Sequence, residues 1–289
     1  MKIGVLGTGL MGLPLALRLR ETGHDVVAYN RTPQKLAPIR AAGGETVDSP
    51  AAVLLASEAT ILMLADAAAI AQTLLTPATK PHLKGHTIIQ MGTIAPDESR
   101  DLCAQVEAAG GQYLEAPVLG SIPQAQTGTL ILMVGAMPDQ FQRWQPLWQI
   151  FGEAVFHLGP VGAGAATKLA MNQLIGSLTH AFALSLALVQ REGIDVDAFM
   201  EIVRGSALYA PTFDKKLGRM RDRNFENPNF PTKHLRKDMA LFCRAAEQAG
   251  LDPALALAVV QLSDRAIAAG AGDQDYSAIY AAVNPLGAD

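Results

Sequence analysis

Between Glu153 and Arg191 the only charged side chain is Lys168, and Asn172 follows it by four residues. On a helix that spacing puts the two on one face, a turn apart. A lysine ammonium beside a carboxamide can orient a carbonyl and pass a proton to the alkoxide that forms from it. Burial would lower the pKa of such a lysine toward neutrality and suit it to both giving and taking a proton. An isolated lysine at a helix end ordinarily points into water, so the pair acquires meaning only from the rest of the chain.

A second chemically competent cluster lies at the start. Residues 2–6 form a short apolar run, GTGLMG occupies residues 7–12, and a helical pattern leads from Met11 to Gly23 before a second strand at 25–29. Strand, glycine loop, helix and strand within about thirty residues make a βαβ unit. In that setting Gly7 would make the turn, Gly9 would admit a pyrophosphate and Gly12 would pack helix on strand. The loop residues Gly7, Thr8, Gly9, Leu10, Met11 and Gly12 are thus candidate cofactor contacts, with the phosphates on the helix amino terminus. About twenty residues further on, NAD-binding loops place an acid that holds the ribose 2′-hydroxyl. Here Asn30-Arg31-Thr32 stands instead. A guanidinium and a hydroxyl can hold a 2′-phosphate that a carboxylate would repel, so NADP(H) is the predicted cofactor.

Both clusters need elements to position them. A helix from Ser49-Pro50 leads to a strand at 59–64, where Met63, Leu64, Ala65 and Asp66 would line the cofactor crevice. Further strands are predicted at 86–91, ending at Gly92-Thr93, and at 113–118, 129–134 and 154–158, with a helix over 95–108. Trp144 and Trp148, four apart in a helical stretch, read as core. Alternation of this kind predicts an α/β Rossmann-type doubly wound sheet over residues 1–160. A single helical pattern opens at Gly159-Pro160 and runs with no further proline to Gly193, and no convincing strand follows. Such a helix is about 45 Å long, and apolar residues on nearly every face predict that protein surrounds it. Residues 161–289 are therefore an all-α domain built on one long helix, for substrate binding and oligomerisation.

Composition limits the partners. The chain has 289 residues, 49% hydrophobic and 17% charged, with a net charge of −4, which gives no reason to expect nucleic acid or an anionic membrane. A mean hydropathy of +0.19 predicts apolar surface committed to a subunit interface, as a homodimer or homotetramer. Cys103 and Cys243 match no metal or redox spacing and read as free thiols of a reducing compartment. No metal site is predicted. The chain goes straight into a strand without a signal-peptide pattern, and Asn172, Gln173, His180 and Gln190 interrupt the long apolar helix. A cytoplasmic protein off the membrane is expected.

With these residues in view, the chain resembles the β-hydroxyacid dehydrogenases, and within them the glyoxylate/succinic semialdehyde reductase branch. The motifs that carry the resemblance are GTGLMG at 7–12, EAPVLGS at 115–121, GAGAATKLAMNQ at 162–173 and KHLRKD at 233–238. The resemblance implies a cofactor loop at 7–12, a ribose-phosphate site at Asn30, Arg31 and Thr32, and contacts from Met63, Leu64 and Ala65. It implies Thr93 between cofactor and substrate, and a substrate carboxylate on the N–H and hydroxyl groups of Gly120 and Ser121. It implies catalysis by Lys168 with Asn172, and a later element in which Phe230 and Asp238 serve the substrate while Lys237 reaches the cofactor. Without the resemblance, Lys233, His234, Arg236 and Lys237 read as a solvated helix face.

Two departures stand out. Leu119 replaces the usual serine before the glycine of the substrate loop, and Gln90-Met91-Gly92-Thr93 replaces Asp-x-Ser-Thr. Ser121, in place of a second glycine, favours the semialdehyde reductase branch. The implied activity is NADPH-dependent reduction of a small carboxylate-bearing aldehyde, with 3-hydroxyisobutyrate or tartronate semialdehyde dehydrogenase chemistry as the alternative. Imine reductases on this fold carry aspartate or tyrosine at the lysine position, and non-catalytic relatives have lost the lysine; Lys168 argues against both.

Overall fold

The computed structural model describes residues 1–285. The chain divides into two compact units, Met1–Lys168 and the residues from Leu169 onward.

The first unit holds nine strands: β1 (Lys2–Leu6), β2 (Asp25–Tyr29), β3 (Glu45–Thr46), β4 (Ala59–Leu62), β5 (Thr87–Gln90), β6 (Gln112–Glu115), β7 (Val118–Leu119), β8 (Ile131–Gly135) and β9 (Ala154–Gly159). They lie in the order β3-β2-β1-β4-β5-β6-β8-β7, with β9 on the free side of β8. β1 to β6 are mutually parallel. Helices α1 (Gly12–Glu21), α2 (Ala37–Ala41), α3 (Pro50–Ala56), α4 (Ala67–Leu74), α5 (Pro96–Ala108), α6 (Ile122–Thr127), α7 (Pro138–Arg143) and α8 (Gln145–Phe151) connect them.

Apolar runs in β1, β4 and β5 feed two cores, because successive side chains leave a strand on opposite faces. Ile3, Val5, Ile61 and Ile89 join one cluster with Leu15, Leu19 and Trp148. Leu6, Leu62 and Ile88 join the other with Leu102 and Tyr113. Trp144 and Trp148 are both buried, as their spacing predicts. The predicted strand at 113–118 is instead two. Pro117 has no N–H to continue a ladder, so β6 ends at Glu115 and β7 pairs antiparallel with β8. The sheet is parallel through β6 and mixed beyond it.

Helix α9 (Ala163–Arg191) gives its first turns to the first unit and the rest to the second. The second unit continues with α10 (Val196–Arg204), α11 (Pro211–Arg221), α12 (Thr232–Gln248), α13 (Ala254–Ala266) and α14 (Ile279–Val283). Among its described residues there is no strand. Phe182, Ala183, Leu186 and Ala187 of α9 pack with Met200, Phe213, Leu217 and Tyr280. The expectation that protein surrounds α9 is corrected within one chain: Leu174, Leu178, Leu184 and Leu188 are exposed along the opposite stripe. By length and composition alone, α9 and the helical stretch 254–271 are apolar enough to cross a membrane, and each has part of its apolar window buried inside the protein. Cys103 and Cys243 are both free.

Candidate active site

Strand register brings the first cluster together. Leu6 of β1 pairs with Tyr29 of β2 and Leu62 of β4, and Leu62 pairs with Gln90 of β5. The residues that follow, at 7, 30, 63 and 91, therefore emerge along one edge. Because β1 lies between β2 and β4, that edge is also where the chain reverses direction across the sheet, the place a ligand crevice forms. Gly7 has φ +95°, and a Cβ there would collide with the Met63 carbonyl. A Cβ on Gly12 would collide with the Gly7 carbonyl, whereas one on Gly9 would meet open space. Turn, close packing and an open approach fall where a dinucleotide requires them. Helix α1 has no side-chain cap and no acid in its first turn, so its leading N–H groups suit an anion.

Asn30 braces this loop: its Oδ1 accepts from Thr8 N–H at 3.1 Å and its Nδ2 donates to the Thr32 carbonyl at 3.0 Å. Of the three residues at the tip of β2, Arg31 and Thr32 are exposed. Leu10 is exposed as well, and Met63 and Leu64 are half-buried beside exposed Ala65. Asp66 is exposed at the start of α4. Its Oδ1 accepts from Ala69 N–H at 2.7 Å and caps α4, so its carboxylate is committed to a helix end. Gln90 supplies polar contacts of its own where the family carries aspartate. It is buried, with Oε1 accepting from Gly92 N–H at 3.0 Å and Nε2 donating to the Gly92 carbonyl at 3.2 Å, and it so fixes the turn before half-buried Thr93.

In the substrate loop, Gly120 has φ +134°, a conformation that side chains rarely adopt. Both donors of Ser121, N–H and hydroxyl, go to Gln124 Oε1 at 3.0 Å each. Both donors are thus already engaged within the loop. A carboxylate would have to exchange with the Gln124 amide oxygen, which already occupies an acceptor position there. Leu119 is half-buried beside this loop.

Lys168 is half-buried and lies one turn before Asn172 on α9. Asn172 is 1% exposed, and its Nδ2 donates to Asp238 Oδ2 of α12 at 2.7 Å. Lys237 Nζ lies 3.0 Å from the other carboxylate oxygen. An ionised carboxylate only accepts, so the Asn172 amide must present its NH2 to Asp238 and turn its Oδ1 away. That Oδ1 is buried without a hydrogen-bond partner. Asp238 orients Asn172 through Oδ2, while its buried Oδ1 has the Lys237 ammonium nearby but no hydrogen bond. Phe230 packs edge-on to Tyr276 at 5.6 Å in the core of α12 and α13. Lys233 pairs with Asp273, and Arg236 with Asp264 at 2.8 Å. Burial and the nearby Lys237 hold the His234 imidazole below its usual range.

Two residues escaped the sequence reading. Gln124 had a signal, since Ser-x-x-Gln before a helix is a capping pattern. Glu115 had a weaker one, a single acid in the apolar run YLEAPVL, and it is 1% exposed.

Fold and crevice define an oxidoreductase with a nicotinamide-dinucleotide-binding first unit. Residues 2–159 match the NAD binding domain of 6-phosphogluconate dehydrogenase, and residues 162–283 the NAD-binding domain of NADP-dependent 3-hydroxyisobutyrate dehydrogenase. The chain belongs to the β-hydroxyacid dehydrogenase family. It is 31% identical to glyoxylate/succinic semialdehyde reductase 1 of Arabidopsis thaliana over 98% of each chain. It is also 31% identical to 2-hydroxy-3-oxopropionate reductase of Escherichia coli (strain K12), over 98% of this chain and 97% of that one. In fold it is similar to 3-hydroxyisobutyrate dehydrogenase from Salmonella typhimurium, with a TM-score of 0.86 at 24% identity over 97% and 99% of the two chains.

Proposed function

We propose that this protein reduces a small carboxylate-bearing aldehyde, of the succinic semialdehyde or glyoxylate type, to the hydroxy acid with NADPH. The observation that carries the reading is the buried Asn172 amide, turned by Asp238 so that an unpartnered oxygen remains one turn from Lys168. A buried acceptor without a donor costs about 1–3 kcal/mol, and an alcohol hydroxyl or an ammonium would relieve it. A bound nicotinamide supplies the hydride. Lys168 gives its proton to the carbonyl oxygen, Asn172 holds ammonium and oxygen in line, and the reverse sequence oxidises the hydroxy acid. Gly120 and Ser121 take the substrate carboxylate in exchange for Gln124, and Thr93 separates substrate from cofactor. Exposed Arg31, with no acid at the tip of β2, supports NADPH over NADH.

The substrate class rests on similarity to the plant semialdehyde reductases. Similarity to 2-hydroxy-3-oxopropionate reductase supports tartronate semialdehyde as the alternative. We further propose a cytoplasmic homo-oligomer, supported by the two free thiols and the exposed leucine stripe of α9. The test is NADPH and NADH consumption by the purified protein against succinic semialdehyde, glyoxylate, tartronate semialdehyde and a cyclic imine. Turnover of the first two with NADPH is expected. Turnover of the imine alone, or of none while NADPH still binds, would overturn the reading.

A further inference from the structure

Glu115 carries a carboxylate into the interior of the first unit, at the carboxyl end of β6. Its Oε1 accepts from Gly162 N–H at 2.8 Å and from Ala165 N–H at 3.0 Å, the leading donors of α9. Its Oε2 accepts from the buried Ser99 hydroxyl of α5, which lies 3.0 Å from the Tyr113 hydroxyl of β6. Burial is the largest influence on this carboxyl and raises its pKa, opposed by the Ser99 hydroxyl and the helix N–H groups.

The backbone around it is cut to fit. Gly162 has φ +102°, which lets its N–H turn inward. A Cβ on Gly164 would strike the Met133 carbonyl and lie 3.1 Å from Glu115 Oε1, and one on Gly135 would strike Glu115 itself. Glycines on β8 and α9 thus leave room for one carboxylate that ties α5, β6 and α9 at a point.

We propose that Glu115 is a positioning residue for the reaction: it fixes the first turns of α9 and through them the placement of Lys168. The inference rests on Lys168 being the proton donor. Lys168 stands three residues past Ala165, about 4.5 Å along the axis, so a slip of the helix start passes to its Cα undiminished. A misplacement of about 1 Å at a reacting group can cost on the order of 100-fold in rate. A carboxylate that only caps a helix would weaken the fold without acting through the lysine.

A double-mutant cycle with succinic semialdehyde and NADPH separates these. Glu115→Ala should lower kcat by about 10- to 100-fold while leaving the NADPH dissociation constant in place. Glu115→Gln should recover most of the loss, because its carbonyl oxygen can accept both N–H groups while its NH2 faces the Ser99 oxygen. In the Lys168→Ala background, Glu115→Ala should cost nothing further, since a residue that acts through the lysine has nothing left to position. Multiplying losses, or parental kcat in Glu115→Ala, would overturn the inference and leave the role of Lys168 standing. Parental turnover in Lys168→Ala would instead remove the reading beneath it. Should Glu115→Ala not fold, Glu115→Asp keeps the charge, shortens the reach and carries the same cycle. Failure of both to give NADPH-binding protein would overturn the inference by making the carboxylate a folding element alone.

Discussion

At the scale of single residues, Lys168 and Arg31 ask for opposite kinds of chemistry. As the proposed donor, Lys168 would have to release a proton, and a guanidinium does not do so in the neutral range. Lys168→Ala is expected to lower turnover by about 10²- to 10⁴-fold, the usual worth of a general acid, and Lys168→Arg is expected not to restore it. NADPH should still bind both variants. Titration of cofactor binding alongside steady-state rates checks this, and near-parental turnover in either variant would exclude Lys168 as the donor. In the proposed NADPH site, Arg31 would need only to stay charged beside a phosphate. Losing one charge-assisted contact costs about 1.5–3 kcal/mol, so Arg31→Ala should weaken NADPH by roughly 10- to 150-fold and leave NADH alone. Equal affinity of the parent for the two cofactors would defeat that reading. Asn30, by contrast, is spent on Thr8 and Thr32, so its loss should loosen the loop for both cofactors.

At the scale of elements, the substrate loop carries a sharper expectation than its sequence suggested. Gln124 Oε1 holds both donors of Ser121, so any carboxylate competes with it. Gln124→Ala should lower KM for succinic semialdehyde by removing the competitor, whereas Ser121→Ala should raise it; neither should shift NADPH affinity. A raised KM in both variants would mean that Gln124 supports the loop rather than competes for it. The sequence places this loop, and its internal bonds have a local signal in the Ser-x-x-Gln capping pattern.

What was legible follows the same line. The βαβ start is written locally, in a glycine loop between two apolar runs, and Lys168 and Asn172 are set by helical spacing alone. β6 and β7 were merged because apolar residues continue through Ala116 and Val118, and only Pro117 marks the break. The partners of Glu115 and Asp238 lie 47 and 66 residues away, beyond what local spacing shows. A buried carboxylate is intelligible only when its donors are known, and those come from tertiary contact.

At the scale of the whole molecule, α9 carries a stripe of exposed leucines. Leu174, Leu178, Leu184 and Leu188 are 50%, 38%, 61% and 62% exposed along one stripe, about 21 Å from end to end. Covering each half-exposed leucine gives roughly 1 kcal/mol, so eight of them across two copies give about 8 kcal/mol. That sum merely meets the cost of association, about 4–15 kcal/mol, so an assembly on this stripe would depend on every leucine and on flanking side chains. Two substitutions per copy should therefore unmake it. We expect the 30.5 kDa chain to sediment as a dimer or larger at micromolar concentration. Leu184→Glu with Leu188→Glu should sediment as a monomer that keeps its helical circular dichroism, because both positions face outward in the single chain. Thermal midpoints should rise with concentration for the parent and not for the double variant. A parent that sediments as a monomer, or that floats with lipid vesicles in place of self-associating, would show that something other than a second copy covers α9.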